Sequence, residues 1–232
     1  IGVLIVKKIV NVFIGGSASL DINDSYIFFA SELGRLINER DYHIIFDGCA
    51  GLPSVVFKNL TGFDRATVCY TVHYIAEYSN YQKNDYQYLI TQSLRMENQS
   101  EMTDTIIELS DAFIFLKGQL GTLEELFRAI NGKKNLEHDH PIVIVNLNHE
   151  WDNLINILDS CNTRGLYHVT DNPIDCLNYI EQELYKETSS FYKDYVINDY
   201  TKIMNYINKF HHQKVIIPVS YTHLRAHETG RN

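Results

Sequence analysis

Short, wholly apolar runs that give way to glycine-bearing loops, with amphipathic stretches between them, constrain this chain more than any other feature. The clearest is Ala112-Phe113-Ile114-Phe115-Leu116, short enough and apolar enough for a strand buried on both faces. It runs into Lys117-Gly118-Gln119-Leu120-Gly121, after which Thr122 is placed to N-cap a helix with Glu125 as its capping-box partner. Leu123, Leu126, Phe127 and Ile130 then share one helical face, and Gly132 reads as the stop. Strand, glycine turn and helix start bring backbone N–H groups and the helix dipole together on one point, an arrangement suited to an anion such as phosphate. Taken alone, the same residues also describe a helix start and nothing more.

The pattern recurs. A strand over Ile9 to Ile14 ends in Gly15-Gly16-Ser17, where paired glycines let backbone approach a ligand. A helix from Ser25 to Glu39 carries Tyr26, Phe29, Ala30, Leu33, Leu36 and Ile37 as its stripe, with Gly34 inside it for close packing against a strand. His43 to Phe46 is a strand that meets Asp47-Gly48-Cys49-Ala50-Gly51-Leu52, and Pro53 suits the first turn of the next helix. Ala66 to Val72 and Leu89 to Thr91 read as strands on either side of an irregular, tyrosine-rich piece. A polar helix spans Ser93 to Leu109. Strands over 141–145 and 167–170 and helices over 151–158 and 173–184 complete the alternation. Such an order predicts an α/β fold: a doubly wound, mostly parallel, Rossmann-like sheet with helices on both faces. Ligands then bind at the carboxyl ends of the strands, where all three glycine loops fall.

A net charge of −9 argues against a sequence-independent grip on nucleic acid, which needs a basic surface. A small anion remains compatible, since local N–H groups can hold it. Cys49, Cys69, Cys161 and Cys176 have no metal or redox spacing and read as reduced, cytoplasmic thiols. His138 with His140, and His211 with His212, lack zinc-site spacing, so no metal and no cofactor are expected. No apolar run reaches membrane-spanning length.

Several of these stretches resemble the LOG family, the Rossmann-like phosphoribohydrolases once labelled lysine decarboxylases. The likeness covers Val12 to about Gly165. It rests on Val12-Phe13-Ile14-Gly15-Gly16-Ser17, on Tyr26, Ala30, Leu33, Gly34 and Arg40, on Gly48-x-x-Gly51, and on Ser110 to Ile114 leading into Gly121-Thr122-x-x-Glu125. The resemblance implies cleavage of the N-glycosidic bond of a nucleoside 5′-monophosphate to free base and ribose 5-phosphate. Thr122 and the backbone of Gly118, Gln119, Leu120 and Gly121 are implied to hold the phosphate, with Gly15, Gly16, Ser17, Asp47, Gly48 and Gly51 facing the rest of the nucleotide. Glu125 is implied as the catalytic carboxylate, ionised by the helix dipole and set near a developing oxocarbenium centre.

The departures are as informative. The family's partner arginine falls on Met102, and Arg95 lies seven residues earlier, two turns away if both are on one helix. Lys117 and Gln119 replace the proline and second glycine of the signature, and Asp47 and Pro53 replace a glycine and a methionine. Lys117 is a substitute cation only if its ammonium swings into the loop. Three functions follow: a hydrolase with altered residues, a non-catalytic nucleotide sensor or binding module, or an interaction protein with vestigial loops. The expected organisation is a nucleotide-binding domain over 1–185, a helical appendage over 186–219 with a helix from Phe191 to Phe210, and a non-native tail over 220–232. The partner is a small-molecule nucleotide, with no nucleic acid and no membrane, and the assembly a homodimer.

Overall fold

The computed structural model describes residues 10–19, 21–71 and 87–194. Seven strands are present among them: β1 (Asn11–Gly15), β2 (His43–Phe46), β3 (Ala66–Thr71), β4 (Ile90–Met96), β5 (Ala112–Phe115), β6 (Ile142–Val145) and β7 (His168–Thr170). Six helices accompany them: α1 (Asp24–Glu39), α2 (Leu52–Lys58), α3 (Gln99–Leu109), α4 (Leu120–Lys134), α5 (Asp152–Ser160) and α6 (Pro173–Asp194). The strands form one sheet in the order β4-β3-β2-β1-β5-β6-β7, and every pairing is parallel. The doubly wound α/β fold expected from the sequence is the fold observed.

Alternate residues of β1, β2, β3, β5 and β6 feed separate cores. Val12, Ile14, Ile44, Phe46 and Val68 pack with α1, α2 and α6 residues such as Leu33, Val56 and Leu177. Phe13, Ile45, Cys69, Phe113 and Phe115 pack with Met102, Ile106, Leu126, Ile130 and Leu158 of α3, α4 and α5. Both faces of the sheet are therefore covered, which explains why β5 and β6 are apolar at every position. Tyr26 ties α1 to the turn after β6: its hydroxyl accepts from Leu147 N at 3.2 Å and donates to Leu147 O at 3.5 Å.

Several sequence expectations need correction. Gly34 does not face a strand; a Cβ there would stand 2.5 Å from Val56 O and 2.8 Å from Asn59 Cβ, so the close neighbour is α2. The polar helix does not begin at Ser93. Strand β4 continues to Met96, and α3 starts at Gln99 behind Asn98, whose side chain accepts from Glu101 N at 3.0 Å. Arg95 thus lies exposed on the edge strand β4, not on the helix that carries Met102. Gly132 does not stop α4, which continues to Lys134. It allows His138 to pack against the helix, its ring 2.9 Å from where a Cβ would be. The helix opened by Pro173 continues past Leu184 to Asp194, while the remainder of the expected 191–210 helix, the irregular piece after Thr71 and the tail lie outside the described residues.

Candidate functional site

Strand β1 is the point where the order reverses: β2, β3 and β4 extend to one side, and β5, β6 and β7 to the other. A crevice opens outside the carboxyl ends of strands at such a point. The three glycine loops meet there, and the main chain of Ser17 laces them together. Ser17 N donates to Lys117 O at 2.9 Å, and Leu52 N donates to Ser17 O at 2.8 Å. Leu116 N donates to Gly15 O at 2.8 Å. Thr122 does not cap α4. That helix begins two residues earlier, with Gln119 at the cap position and no side-chain cap. Thr122 Oγ1 donates instead to Gly16 O at 3.1 Å, fixing the first turn of α4 to the β1 loop. A threonine with a glutamate three residues on has the same spacing inside a first turn as across a cap, so the sequence alone does not separate the two.

A cavity of about 260 Å³ lies between these loops and α3. Gly16, Ser17, Asp47, Gln119, Gly121, Thr122 and Glu125 line it, together with Ala18, Ser19, Cys49, Gln99 and Met102. Gly118 faces a neighbouring cavity of about 280 Å³, which shares Ser17 and Gln119 with the first and also holds Asp21, Asn23, Lys117 and Glu150. Gly15, Gly48, Gly51 and Leu120 line neither. Their places have other causes. A Cβ on Gly15 would meet the rings of Phe115 and Phe13, and one on Gly51 would collide with the Ser17 carbonyl. Gly48 has a φ of 74°, in the left-handed region that glycine tolerates best. Leu120 is exposed. Gly121 is different again: among the described residues nothing lies within 4 Å of a Cβ there, so it borders the cavity.

The electrostatics depart from expectation. Glu125 is 4% exposed, in the second turn of α4, and its carboxyl receives no hydrogen bond from the described residues. Burial, and then the charges of Asp47 and Glu124, push its carboxyl well above the usual carboxylate range. The expectation of a dipole-ionised Glu125 is therefore reversed, because the dipole's effect fades beyond the first turn while desolvation does not. Beneath the pair, burial and then the charges of Asp47 and Glu125 push the Cys69 thiol up to about 12. Asp47 is held by its own loop, its Oδ1 accepting from Cys49 N at 2.9 Å.

Among the described residues no Lys, Arg or His lines the 260 Å³ cavity. Lys117 neither swings into it nor points freely to solvent; it is ion-paired with Glu150 and lowers that carboxyl's pKa. Met102, 2% exposed, occupies the cavity wall. Among the described residues no group of three His, Cys, Asp or Glu is placed to hold a metal ion, and no helix is long and apolar enough to cross a membrane. Ala18, Ser19, Cys49 and Gln99 were not foreseen as lining residues. A signal for Gln99 was present in Asn98-x-x-Glu101, a helix start directly after a strand.

Residues 66–186, more than half of the chain, match the sequence pattern of the family described as possible lysine decarboxylase. No curated protein matches the chain. Among solved structures, the molybdenum cofactor carrier protein of Chlamydomonas reinhardtii aligns with a TM-score of 0.57 at 16% identity, covering 76% of this chain and 98% of that one. The molybdenum cofactor binding protein of Rippkaea orientalis aligns with a TM-score of 0.54 at 18% identity, covering 77% and 98%. DNA processing protein A of Helicobacter pylori, described with a single-stranded DNA binding mode, aligns with a TM-score of 0.53 at 16% identity, covering 77% and 82%. At these identities the likeness is one of fold.

Proposed function

The chain belongs to the LOG family, the group described as possible lysine decarboxylase, and from that premise we propose that it binds a nucleoside monophosphate in the 260 Å³ cavity and turns it over poorly. The observation that carries the reading is the start of α4, a helix of 15 residues without a side-chain cap whose Gly121 and Thr122 border the cavity at the reversal of strand order. First-turn N–H groups have no intrahelical partner, and with the dipole they suit a phosphate without any basic side chain.

Poor turnover rests on the other end of the cavity. N-glycosidic cleavage develops positive charge at the anomeric carbon, and an ionised carboxylate stabilises it. Glu125 is held toward its neutral form by burial and neighbouring negative charge, and Met102 has no charge with which to orient it. Loss of one preorganised charged contact costs about 3–4 kcal/mol of barrier, two to three orders of magnitude in rate. Two of the similar structures are themselves described as cofactor carrier or binding proteins, which accords with binding rather than turnover.

The test compares calorimetric binding and base release for AMP and related monophosphates in the parent, Met102→Arg and Glu125→Ala proteins. Binding with negligible release in the parent, and release only in Met102→Arg, is the expected result. Robust parental release that disappears in Glu125→Ala overturns the proposal. Family membership is also our ground for a homodimer in the cytoplasm; a light-scattering mass of one 26.9 kDa chain at micromolar concentration would count against the dimer.

A further inference from the structure

The start of α4 has space on two sides. Gly121 and Thr122 line the 260 Å³ cavity, Gly118 lines the neighbouring one of about 280 Å³, and Ser17 and Gln119 line both. A phosphate monoester held there occupies one side only, because its single organic arm enters the cavity of Glu125. The second cavity is walled by Asp21, Asn23, Lys117 and Glu150. Glu150 is fixed before any ligand arrives: its Oε2 accepts from Lys117 Nζ and its Oε1 from Asn23 Nδ2 at 3.4 Å. The bond from Lys117, and after it those from Asn23 and Asn148, hold this carboxyl below the usual carboxylate range. Asn23 is itself held by α1, its Oδ1 accepting from Ser25 N at 3.0 Å. Each carboxylate oxygen can accept more than one hydrogen bond, so Glu150 and Asp21 can still receive hydroxyls. Lys117 is already paired, and a second phosphate would stand beside two carboxylates. Sugar hydroxyls instead donate to such groups, as they do to the acidic residue of dinucleotide-binding folds.

We propose that the 280 Å³ cavity is a second, sugar-binding lobe of the site, and that the ligand class the whole site fits is a nucleoside 5′-phosphodiester whose second arm carries hydroxyls. The proposal rests on the reading of the start of α4 as a phosphate site. It assigns the nucleoside to the cavity of Glu125 and the second arm to Asp21 and Glu150. A diester keeps one negative charge for the N–H groups of the helix start and brings no second anion toward those carboxylates.

Calorimetric titration of the full chain with AMP and with its methyl and ribos-5-yl esters tests the proposal. The two esters carry the same charge and differ only in the second arm, so their affinity ratio reads the second lobe alone. The ribosyl ester should bind about tenfold more tightly than the methyl ester or better, the ratio a hydrogen bond to a charged group supports. Asp21→Ala combined with Glu150→Gln should bring the ratio below about threefold in a protein with an unchanged far-ultraviolet dichroism spectrum. Lys117, released from Glu150 in that variant, meets the same phosphate in both esters. Equal affinities of the two esters in the parent, a tenfold ratio that persists in the variant, or binding of AMP with neither ester overturns the second lobe and leaves the phosphate site standing. Failure of the parent to bind AMP or either ester overturns the phosphate site and the second lobe together.

Discussion

Gly118 and Gly121 stand in one loop and serve different ends. A Cβ on Gly118 would collide with the side chain of Thr122, while one on Gly121 would meet nothing among the described residues. Gly121→Val should therefore leave the unfolding free energy within about 1 kcal/mol, the helix-propensity scale, yet cost at least tenfold in nucleotide affinity by filling the phosphate approach. Unchanged affinity by calorimetry in the folded variant would remove the anion site from the start of α4. Glu125 gives a pH-dependent outcome. Its folded-state pKa is raised, so the folded protein keeps a proton that the unfolded chain releases, and stability is full below the ordinary carboxylate range and falls as pH rises from there toward the folded value. Glu125→Gln removes that slope. Urea unfolding should show the variant gaining on the parent between pH 4 and pH 7; parallel curves would mean that Glu125 is ionised in the fold. These side chains were visible in the sequence as candidates, but their protonation was not, because it is set by Asp47 and by burial contributed from strands distant in sequence.

At the scale of elements, runs buried on both faces were easy to read and β4 was not. Ile90 and Leu94 are half-buried, Met96 is buried, and Thr91, Gln92, Ser93 and Arg95 are exposed, so the period-2 pattern of this edge strand is interrupted at Gln92, and its polar end reads as part of the following helix. That error carried Arg95 onto the wrong element and hid Gln99. Gly34 was recognised as a packing glycine, but not that α2 is what it packs against, since periodicity shows that a face is buried without showing by what. Gly34→Ala should destabilise by about 1–3 kcal/mol through the clash with Val56 O and Asn59, despite the roughly 1 kcal/mol that alanine gains in helix propensity. A urea midpoint equal to or above the parent's would show that α1 and α2 have room to separate.

For the molecule as a whole, strand order could not be read from the chain, although the parallel, doubly wound class could. Alternation of strands and helices requires crossovers; it does not say that β1 is central. That position joins distant segments: Val12 pairs with Ile44 on one side and with Ala112 on the other, and Asn11 N donates to Asp111 Oδ2 at 2.9 Å. During synthesis the sheet can grow from β1 toward β4 while the other edge of β1 waits for β5. At about 5–20 residues per second, the roughly 100 residues between them keep that apolar edge open for about 5–20 s. The reversal of strand order that makes room for a ligand in the finished protein is thus, on the ribosome, an interval of exposure to aggregation and a reason for chaperone capture. A chain ending at Leu109 would be held permanently in that interval, and should partition to the pellet on centrifugation where the parent stays in the supernatant.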